Sequence, residues 1–270
     1  MNFETVTIID AGPVARIELG RPDKANAFNA KMWKELKDAF DWLSLTSHAR
    51  VGVISAQGNH FTAGIDLEFL MAIKSELAHL PEGRRQERLR EFIVGLQETV
   101  NAIEVCRKPV LAAIHGACIG AGIDLVTACD IRYATQDARF SVKEVDFAIV
   151  ADVGTLQRLP RMIGEGRARE LAYTGREFDA QQAQSMGLVK QVFAERNSLL
   201  AGVMDLAASI ARKSPLAIRG IKESLNYSRD HTVAEGLNFV ATRNAATLFS
   251  SDFEEVVAAK MQKRAAKFED

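Results

Sequence analysis

The spacing of apolar positions along the chain changes near residue 196. Before that point, short apolar runs alternate with longer stretches of helical periodicity, and the runs at 51–56 (VGVISA) and 109–116 are typical of buried parallel strands. Strands are predicted over residues 3–9, 14–19, 51–56, 109–116, 130–135 and 138–142. The alternation of strands with helices predicts an α/β fold.

The predicted helices differ between the two parts of the chain. Asn29 is an expected N-cap for a helix that runs to about residue 43, and residues 68–107 have a helical pattern that is broken at 81–83. After residue 196 only helices are expected. We therefore predict a core over residues 1–196 and a helical region for oligomer assembly over residues 197–270.

Apolar positions in the second region support the assembly prediction. They recur at helical spacing in a stretch with no predicted strand to cover them, at Leu237, Val240, Leu248 and Val256. An apolar helix face without a partner in its own chain favours packing on a neighbouring subunit. The expected partner is a second copy of the chain.

Composition excludes several classes of protein. The 270 residues are 47% hydrophobic and 26% charged with a formal net charge of -1, which does not favour nucleic-acid binding. No apolar stretch is long enough to span a membrane, and no targeting segment is recognisable at the start, so a cytoplasmic location is the expectation. The five histidines have no ligand spacing, and no metal site is predicted. The three cysteines are expected to be buried reduced thiols: Cys106, Cys118 and Cys129.

Three acidic residues interrupt apolar or glycine-rich runs between residues 110 and 160. Asp124 follows the glycines of GACIGAGID, Glu144 follows a short predicted strand, and Asp152 divides AIVADVG. A carboxylate in apolar surroundings loses hydration, which raises its pKa toward the range that suits proton transfer. Each acid also has a structural interpretation. Asp124 and Asp152 could cap helices, and Glu144 could pair with a neighbouring cation.

Two glycine-containing turns, at 61–67 and 115–124, each join a buried strand to the start of a helix. Small residues at a helix N-terminus let backbone N–H groups approach a ligand oxygen. Two such groups that converge on one carbonyl would form an oxyanion hole. The alternative is that both segments are ordinary tight turns. The second lacks the glycine spacing of a dinucleotide-binding loop.

Taken together, these segments resemble the crotonase (enoyl-CoA hydratase/isomerase) superfamily. The resemblance runs from RPDKANAFN through GNHFTAGIDL and KPVLAAIHGACIGAGIDLVTACDIRYAT to the helical tail, and HGxxxGxGxxL followed by CDIR is its most specific motif. It implies a spiral of ββα units with a C-terminal helical trimerisation region. It also implies an acyl-CoA substrate, no separate cofactor, and a homotrimer or a dimer of trimers.

Within the superfamily, the acids are similar to those of the branch that converts 3,5-dienoyl-CoA to 2,4-dienoyl-CoA in fatty acid β-oxidation. The resemblance implies that Glu144 exchanges a proton at C2, that Asp152 does so at C6, and that Asp124 orients or polarises. The thioester oxygen is expected to bind the backbone N–H groups of Ile65 and Ala121. Further substrate contacts are expected at Lys24, Ala25, Asn26, Ala63, Gly64, Asp66, Leu67, Gly122 and Lys263.

Two other functions remain open at this point. In an enoyl-CoA hydratase, Asp124 and Glu144 would activate water, and Asp152 would have no part in the chemistry. In a non-catalytic acyl-CoA-binding subunit, ligand would bind without turnover. Asp66 also has a structural interpretation, and which of Lys260 and Lys263 faces the CoA phosphates is open.

Overall fold

A computed structural model describes residues 3–270. Its nine strands are β1 (Val6–Asp10), β2 (Val14–Leu19), β3 (Val51–Ala56), β4 (Val110–Ile114), β5 (Ala117–Ile119), β6 (Ile131–Thr135), β7 (Arg139–Ser141), β8 (Phe178–Asp179) and β9 (Gln191–Phe193). The eleven α-helices within those residues are α1 (Ala30–Leu45), α2 (Leu67–Leu77), α3 (Glu82–Val105), α4 (Ala121–Ala128), α5 (Thr155–Ile163), α6 (Glu165–Thr174), α7 (Ala180–Met186), α8 (Arg196–Ala211), α9 (Pro215–Arg229), α10 (Val233–Thr247) and α11 (Ser251–Met261). The predicted α/β fold is confirmed.

The larger sheet has six strands in the order β1-β2-β3-β4-β6-β9. Only β1 and β2 pair antiparallel, and the other neighbours are parallel. Every residue of β3 is buried, and its side chains alternate between two apolar layers. Ile54 packs with α1, α3 and α4, whereas Val51 and Val53 pack with α8. Helices on both faces explain why this strand is apolar throughout.

A second, three-stranded sheet brings distant segments of the chain together. Its order is β5-β7-β8, and the parallel pair of β5 and β7 places Cys118 opposite Phe140. The sequence pattern predicts a turn over residues 115–124 and no strand there, whereas β5 lies within this segment. Three residues with mixed burial have no periodicity to detect. The pairing is important because β5 leads into α4 and β7 leads toward Glu144.

Local sequence correctly predicts several element boundaries. The Asn29 side chain accepts a hydrogen bond from the Met32 N–H at 2.9 Å, so it caps α1 as expected. The helical stretch over 68–107 is broken as predicted, but at residues 78–81 instead of 81–83, because Glu82 and Gly83 already belong to α3. The three cysteines are free and buried, as predicted.

The last helices project from this core. α8 lies on the larger sheet through Leu199, Val203 and Ala207, although it belongs to the predicted assembly region. From α9 onward, large apolar side chains are exposed, among them Leu237 (63%) and Phe249 (80%). The two-part division of the chain and the oligomer stay predictions. Among residues 3–270, no helix has the length and hydropathy needed to cross a membrane.

Candidate active site

The two glycine turns predicted to face a ligand do lie side by side. The Thr62 N–H donates to the Ala117 carbonyl at 2.9 Å, and the Ile119 N–H donates to the Thr62 carbonyl at 3.1 Å. Gly64 has a φ of 94°, and a Cβ there would come within 2.9 Å of the Ile119 carbonyl oxygen. Glycine is required because a side chain at this position would separate the turns.

The contact leaves two amide groups without a partner. Ile65 precedes the N-cap of α2, and Ala121 is the first residue of α4. Neither N–H donates to another protein group within residues 3–270. A Cβ on Gly64 would lie 3.6 Å from the Ala121 nitrogen, so the two turns are close at this point. The arrangement fits an oxyanion hole.

Asp124 lies on α4, one turn below these amides, and only 1% of it is exposed. Its Oδ1 accepts a hydrogen bond from the Thr155 N–H at 2.6 Å. Burial raises the pKa of Asp124 to about 6, although the bond from Thr155 acts in the opposite direction. Asp124 thus satisfies the first N–H of α5 from another helix.

Glu144 begins a 3-10 turn after β7 and lies against the start of α4. A Cβ on Gly120 would be 3.3 Å from its Oε1. Its Oε2 is buried and has no hydrogen-bond partner in the part of the chain that the structure describes. Burial first, and the nearby charge of Asp124 second, raise the pKa of Glu144 to about 7.

Asp152 is partly exposed and precedes α5 by three residues. Its carbonyl oxygen accepts a hydrogen bond from Gln97 Nε2 at 2.6 Å, which ties the loop to α3. Burial raises the pKa of Asp152. Its charge also raises the pKa of both Asp124 and Glu144, so the three predicted acids are brought together.

Most of the structural alternatives for these acids are wrong. The N-cap of α5 is Gly154 without a side-chain bond, so Asp152 is not its cap. Lys143 pairs with Asp146 at 2.7 Å and Arg139 donates to backbone carbonyls, so neither is the partner of Glu144. Asp124 does bond a helix N-terminus, but that of α5 rather than its own.

The predicted CoA loop is held in an unusual backbone conformation. Ala25 and Asn26 have φ values of 48° and 54°, in the left-handed region. The Asn26 amide donates to the carbonyls of Gln57 and His60 at 2.8 and 2.9 Å, which uses both of its donors. Asn26 therefore shapes the loop, and its side chain has no N–H left for a ligand. Lys24 is exposed, with its Nζ 3.6 Å from Glu68 Oε1.

Three other predicted contacts have clear local environments. Asp66 caps α2 by accepting from the Glu68 N–H at 3.0 Å and pairs with Arg21 at 3.0 Å, which supports its structural interpretation. A Cβ on Gly122 would be 2.6 Å from Thr62 Cγ2, so this glycine permits close packing, and its contact with substrate stays a prediction. Leu67 is 50% exposed at the start of α2.

The remaining two predicted substrate contacts, Ala63 and Lys263, are exposed. Ala63 is exposed, and its N–H donates to the Ala25 carbonyl at 2.9 Å, which joins the CoA loop to the amide turn. Lys263 is exposed after the end of α11 and has a φ of 53°. Within residues 3–270 its side chain makes no hydrogen bond or ion pair to the site. Its contact with CoA stays a prediction.

The residues that support the acids could not be predicted from the sequence. Thr155 and Gln97 hold Asp124 and the Asp152 loop, yet they lie 31 and 55 positions away from these partners in the chain. Arg158 lies against Gly154, where a Cβ would be 1.9 Å from its Nη1. No local pattern pairs residues at such separations. The described residues contain no cluster of potential metal ligands.

A family model described as enoyl-CoA hydratase/isomerase matches residues 10–270. The chain belongs to this family. The match agrees with the fold, because an enoyl-CoA hydratase from Bacillus anthracis superposes with a TM-score of 0.88 at 30% identity, covering 98% of this chain and 99% of that one. The predicted crotonase-type fold is thereby confirmed.

Two curated relatives are more similar in sequence. A protein of Arabidopsis thaliana named Δ3,5-Δ2,4-dienoyl-CoA isomerase, peroxisomal, is 47% identical over 99% of this chain and 98% of its own length. A human protein with the same enzyme name, mitochondrial, is 46% identical over 98% of this chain and 82% of its own. The compartments in these names do not support the predicted cytoplasmic location, which stays a prediction.

Proposed function

We propose that the protein isomerises 3,5-dienoyl-CoA thioesters to 2,4-dienoyl-CoA thioesters in fatty acid β-oxidation. The observation that carries the proposal is the third carboxyl group. Among residues 3–270, Asp152 caps no helix and makes no ion pair, yet it is close enough to Asp124 and Glu144 to raise the pKa of both. Two relatives with this activity in their names share nearly half of the sequence.

The reaction begins at the thioester carbonyl. Its oxygen would accept hydrogen bonds from the Ile65 and Ala121 N–H groups, which have no other acceptor among residues 3–270. When the C2–H bond breaks, its electron pair delocalises over the carbonyl and the diene, and charge develops on this oxygen. One such donor typically stabilises the transition state by ~3–4 kcal/mol.

Two carboxyl groups then carry the protons. Ionised Glu144 takes the proton from C2, because its raised pKa makes it a stronger base than an exposed glutamate. Protonated Asp152 gives a proton to C6, and the electron pair of the dienolate forms the new C–H bond. The double bonds move to C2=C3 and C4=C5. No cofactor is required, since coenzyme A is part of the substrate.

Asp124 would act on the two other acids and not on the substrate. It is buried, bonded to the Thr155 N–H at 2.6 Å, and within charge–charge range of both partners. Its negative charge raises the pKa of Glu144, and the charge of Asp152 in turn raises the pKa of Asp124. The three groups therefore titrate as a coupled set.

The hydratase alternative has less support. It needs Asp124 and Glu144 to share a water molecule between them. The Oδ1 of Asp124 already accepts the Thr155 N–H and 1% of the residue is exposed, which restricts its access to such a water. A non-catalytic acyl-CoA-binding subunit has no need of carboxyl groups with raised pKa values, which Asp124 and Glu144 have.

Binding of the CoA part and assembly complete the proposal. The loop at Lys24, Ala25 and Asn26 would hold the adenine side, and Lys263 would contact a phosphate. A homotrimer or a dimer of trimers would cover the exposed apolar side chains of α9 to α11, such as Leu225 (67%) and Phe249 (80%).

An ultraviolet assay with 3,5-octadienoyl-CoA tests the function by following the conjugated 2,4-dienoyl thioester. The wild-type protein is expected to convert it. Asp152→Asn, which removes only the proton carrier, should lower kcat by roughly 10²- to 10⁴-fold. Asp146→Asn is the matched control, because Asp146 is an exposed acid six positions away that pairs with Lys143. Hydration of crotonyl-CoA without isomerisation would favour the hydratase.

A further inference from the structure

A cavity of about 770 Å³ lies behind Asp152, outside the space between the amides and Glu144. Its walls come from α3, the C-terminal end of α4, α5 and the C-terminal end of α9. Asp152, Val153 and Gly154 form the wall nearest the acids. Neither Asp124 nor Glu144 lines it. Asp152 is thus the one acid of the three that borders this space.

The walls of the cavity are polar but nearly neutral. Arg158 pairs with Glu104 at 2.6 Å, and Arg161 pairs with Asp230 at 2.9 Å. Asn101 accepts a hydrogen bond from Arg158 Nη2 at 2.6 Å. Arg132, which also lines the cavity, donates to backbone carbonyls, among them that of Cys129 at 2.6 Å. The lining contains equal numbers of arginines and acidic residues, so the walls attract no net charge, but they offer many partners for water.

In the single chain, the cavity opens to the surface on the side away from the acids. Val105 on its rim is 72% exposed, and the Arg161 side chain is 51% exposed. Water fills a space that is both polar and roomy, and at ~30 Å³ per molecule this one has room for on the order of twenty. Asp152 therefore has a hydrated route to bulk solvent.

The proposed reaction requires such a route. Each turnover leaves Glu144 protonated and Asp152 ionised, which is the reverse of the starting state. Before the next turnover, Asp152 must gain a proton and Glu144 must lose one. The proton can pass from Glu144 to Asp152 through Asp124 inside the site, or the two acids can exchange separately with solvent.

We infer that the cavity is a proton-exchange channel that reprotonates Asp152 from water between turnovers. This rests on the proposed function. Water in the cavity gives a proton to the Asp152 carboxylate, and Glu144 releases the proton from C2 to solvent after the product leaves. One proton enters and one departs, so the isomerisation stays balanced. The proton that reaches C6 comes from water and never from C2 of an earlier substrate.

The surroundings of Asp124 argue against an internal return. Its Oδ1 is occupied by the Thr155 N–H at 2.6 Å, and the residue does not border the cavity. Gln97, which does line the cavity, holds the Asp152 carbonyl at 2.6 Å and so keeps this residue at the wall. Gln97 is a positioning residue in this scheme.

An isotope experiment separates the two routes. The substrate is 3,5-octadienoyl-CoA with two deuterium atoms at C2, turned over many times in ordinary water, and the product is analysed by mass spectrometry and NMR. Exchange through the cavity leaves deuterium at C2 only. Deuterium at C6 would mean internal return and would overturn the inference. Absence of any ultraviolet conversion would instead contradict the proposed function, and the inference with it.

Variants at the rim assign the exchange to this cavity. Gln157 is exposed and lines it, so Gln157→Trp should obstruct the opening. Val105→Trp is a second, independent obstruction from α3. Each is expected to lower kcat several-fold with little change in KM, and to let deuterium appear at C6. Leu156→Trp, on the adjacent residue outside the cavity, is the matched control. Unchanged kcat and unchanged deuterium positions in both rim variants would overturn the inference.

Discussion

The chain places two glutamates in opposite surroundings. Glu35 on α1 is buried at the edge of the larger sheet and accepts hydrogen bonds from the Thr5 N–H at 2.8 Å and the Thr5 hydroxyl at 2.6 Å. The Glu4 N–H donates to it as well, at 3.0 Å. Glu144 has a buried oxygen with no partner among residues 3–270 and lies near two other acids. Burial acts to raise the pKa of both, but the hydrogen bonds lower that of Glu35 below its usual value.

Two aspartates repeat the contrast. Asp66 is buried beside Arg21 and caps α2. Burial acts to raise its pKa, yet the bonds from Arg21 and Glu68 outweigh burial and lower it. Asp124 has one hydrogen bond and an acidic neighbour, and its pKa is about 6. Burial alone therefore does not make a carboxylate useful for proton transfer, because the number of donors that face it decides the direction of the shift.

The largest expected difference between Glu144 and Glu35 is the effect of their substitution on kcat. Glu144→Gln removes the proposed base and should lower kcat by about 10³-fold, within the usual contribution of a general base. Glu35→Gln, a substitution of the same kind far from the acids, should leave kcat near the wild-type value. The ultraviolet assay measures both. Equal losses in the two variants would mean that Glu144 has no special function.

The free energy of unfolding should change in opposite directions in the two glutamine variants. At about pH 8, Glu35→Gln should lower the free energy of unfolding by roughly 2 kcal/mol, since three donors lose a charged acceptor. Glu144→Gln should raise it by about 3 kcal/mol, because the unpartnered carboxylate is removed and each unit of its pKa shift from 4.5 to about 7 corresponds to ~1.4 kcal/mol. Urea denaturation of the two variants and the wild type provides the values.

The effect of Glu144 on the free energy of unfolding should depend on pH. Its pKa rises from 4.5 to about 7 on folding, so the folded state binds more protons between these values. Stability therefore falls as pH rises through that window, and the full penalty is present above it. The advantage of Glu144→Gln should disappear below about pH 4. An advantage that persists in acid would show that packing, not charge, causes it.

The smallest expected effect concerns the coupling of the acids. Asp124→Asn removes the charge that, after burial, contributes most to the raised pKa of Glu144. The acidic limb of kcat/KM, where Glu144 must ionise, should therefore move to lower pH by less than about one unit. Asp146→Asn should not move it, because Asp146 is engaged with Lys143. A limb that stays in place in Asp124→Asn would mean that the two acids titrate independently.

Local sequence was enough for most of the fold. Asn29 precedes a helix as its type predicts, and VGVISA forms a buried parallel strand. The short strands β5, β8 and β9 were not predicted, since two or three residues carry no periodic pattern and depend on the strands beside them. Helix α8 shows another limit. Its apolar positions could be recognised, but not that they pack on β3 and β4 instead of a neighbouring subunit.

The acids of the site could be located because a charge inside an apolar run is rare in a core. The residues that hold these acids in place could not be located in this way. Thr155 holds Asp124 through its N–H, and Gln97 holds the Asp152 loop through its side chain. Neither residue lies in a sequence pattern that indicates this function. Asn26 was expected to contact the substrate, but its amide donors are used on the carbonyls of Gln57 and His60.

The sequence by itself determined which residues can do the chemistry: three carboxylates in apolar surroundings, and glycines where two turns must approach. Only the tertiary structure decided which carboxylates lack a donor and which side of the site is open to water. The reason is physical. Burial follows from local apolar pattern, whereas a pKa depends on groups within a few ångströms that come from distant parts of the chain.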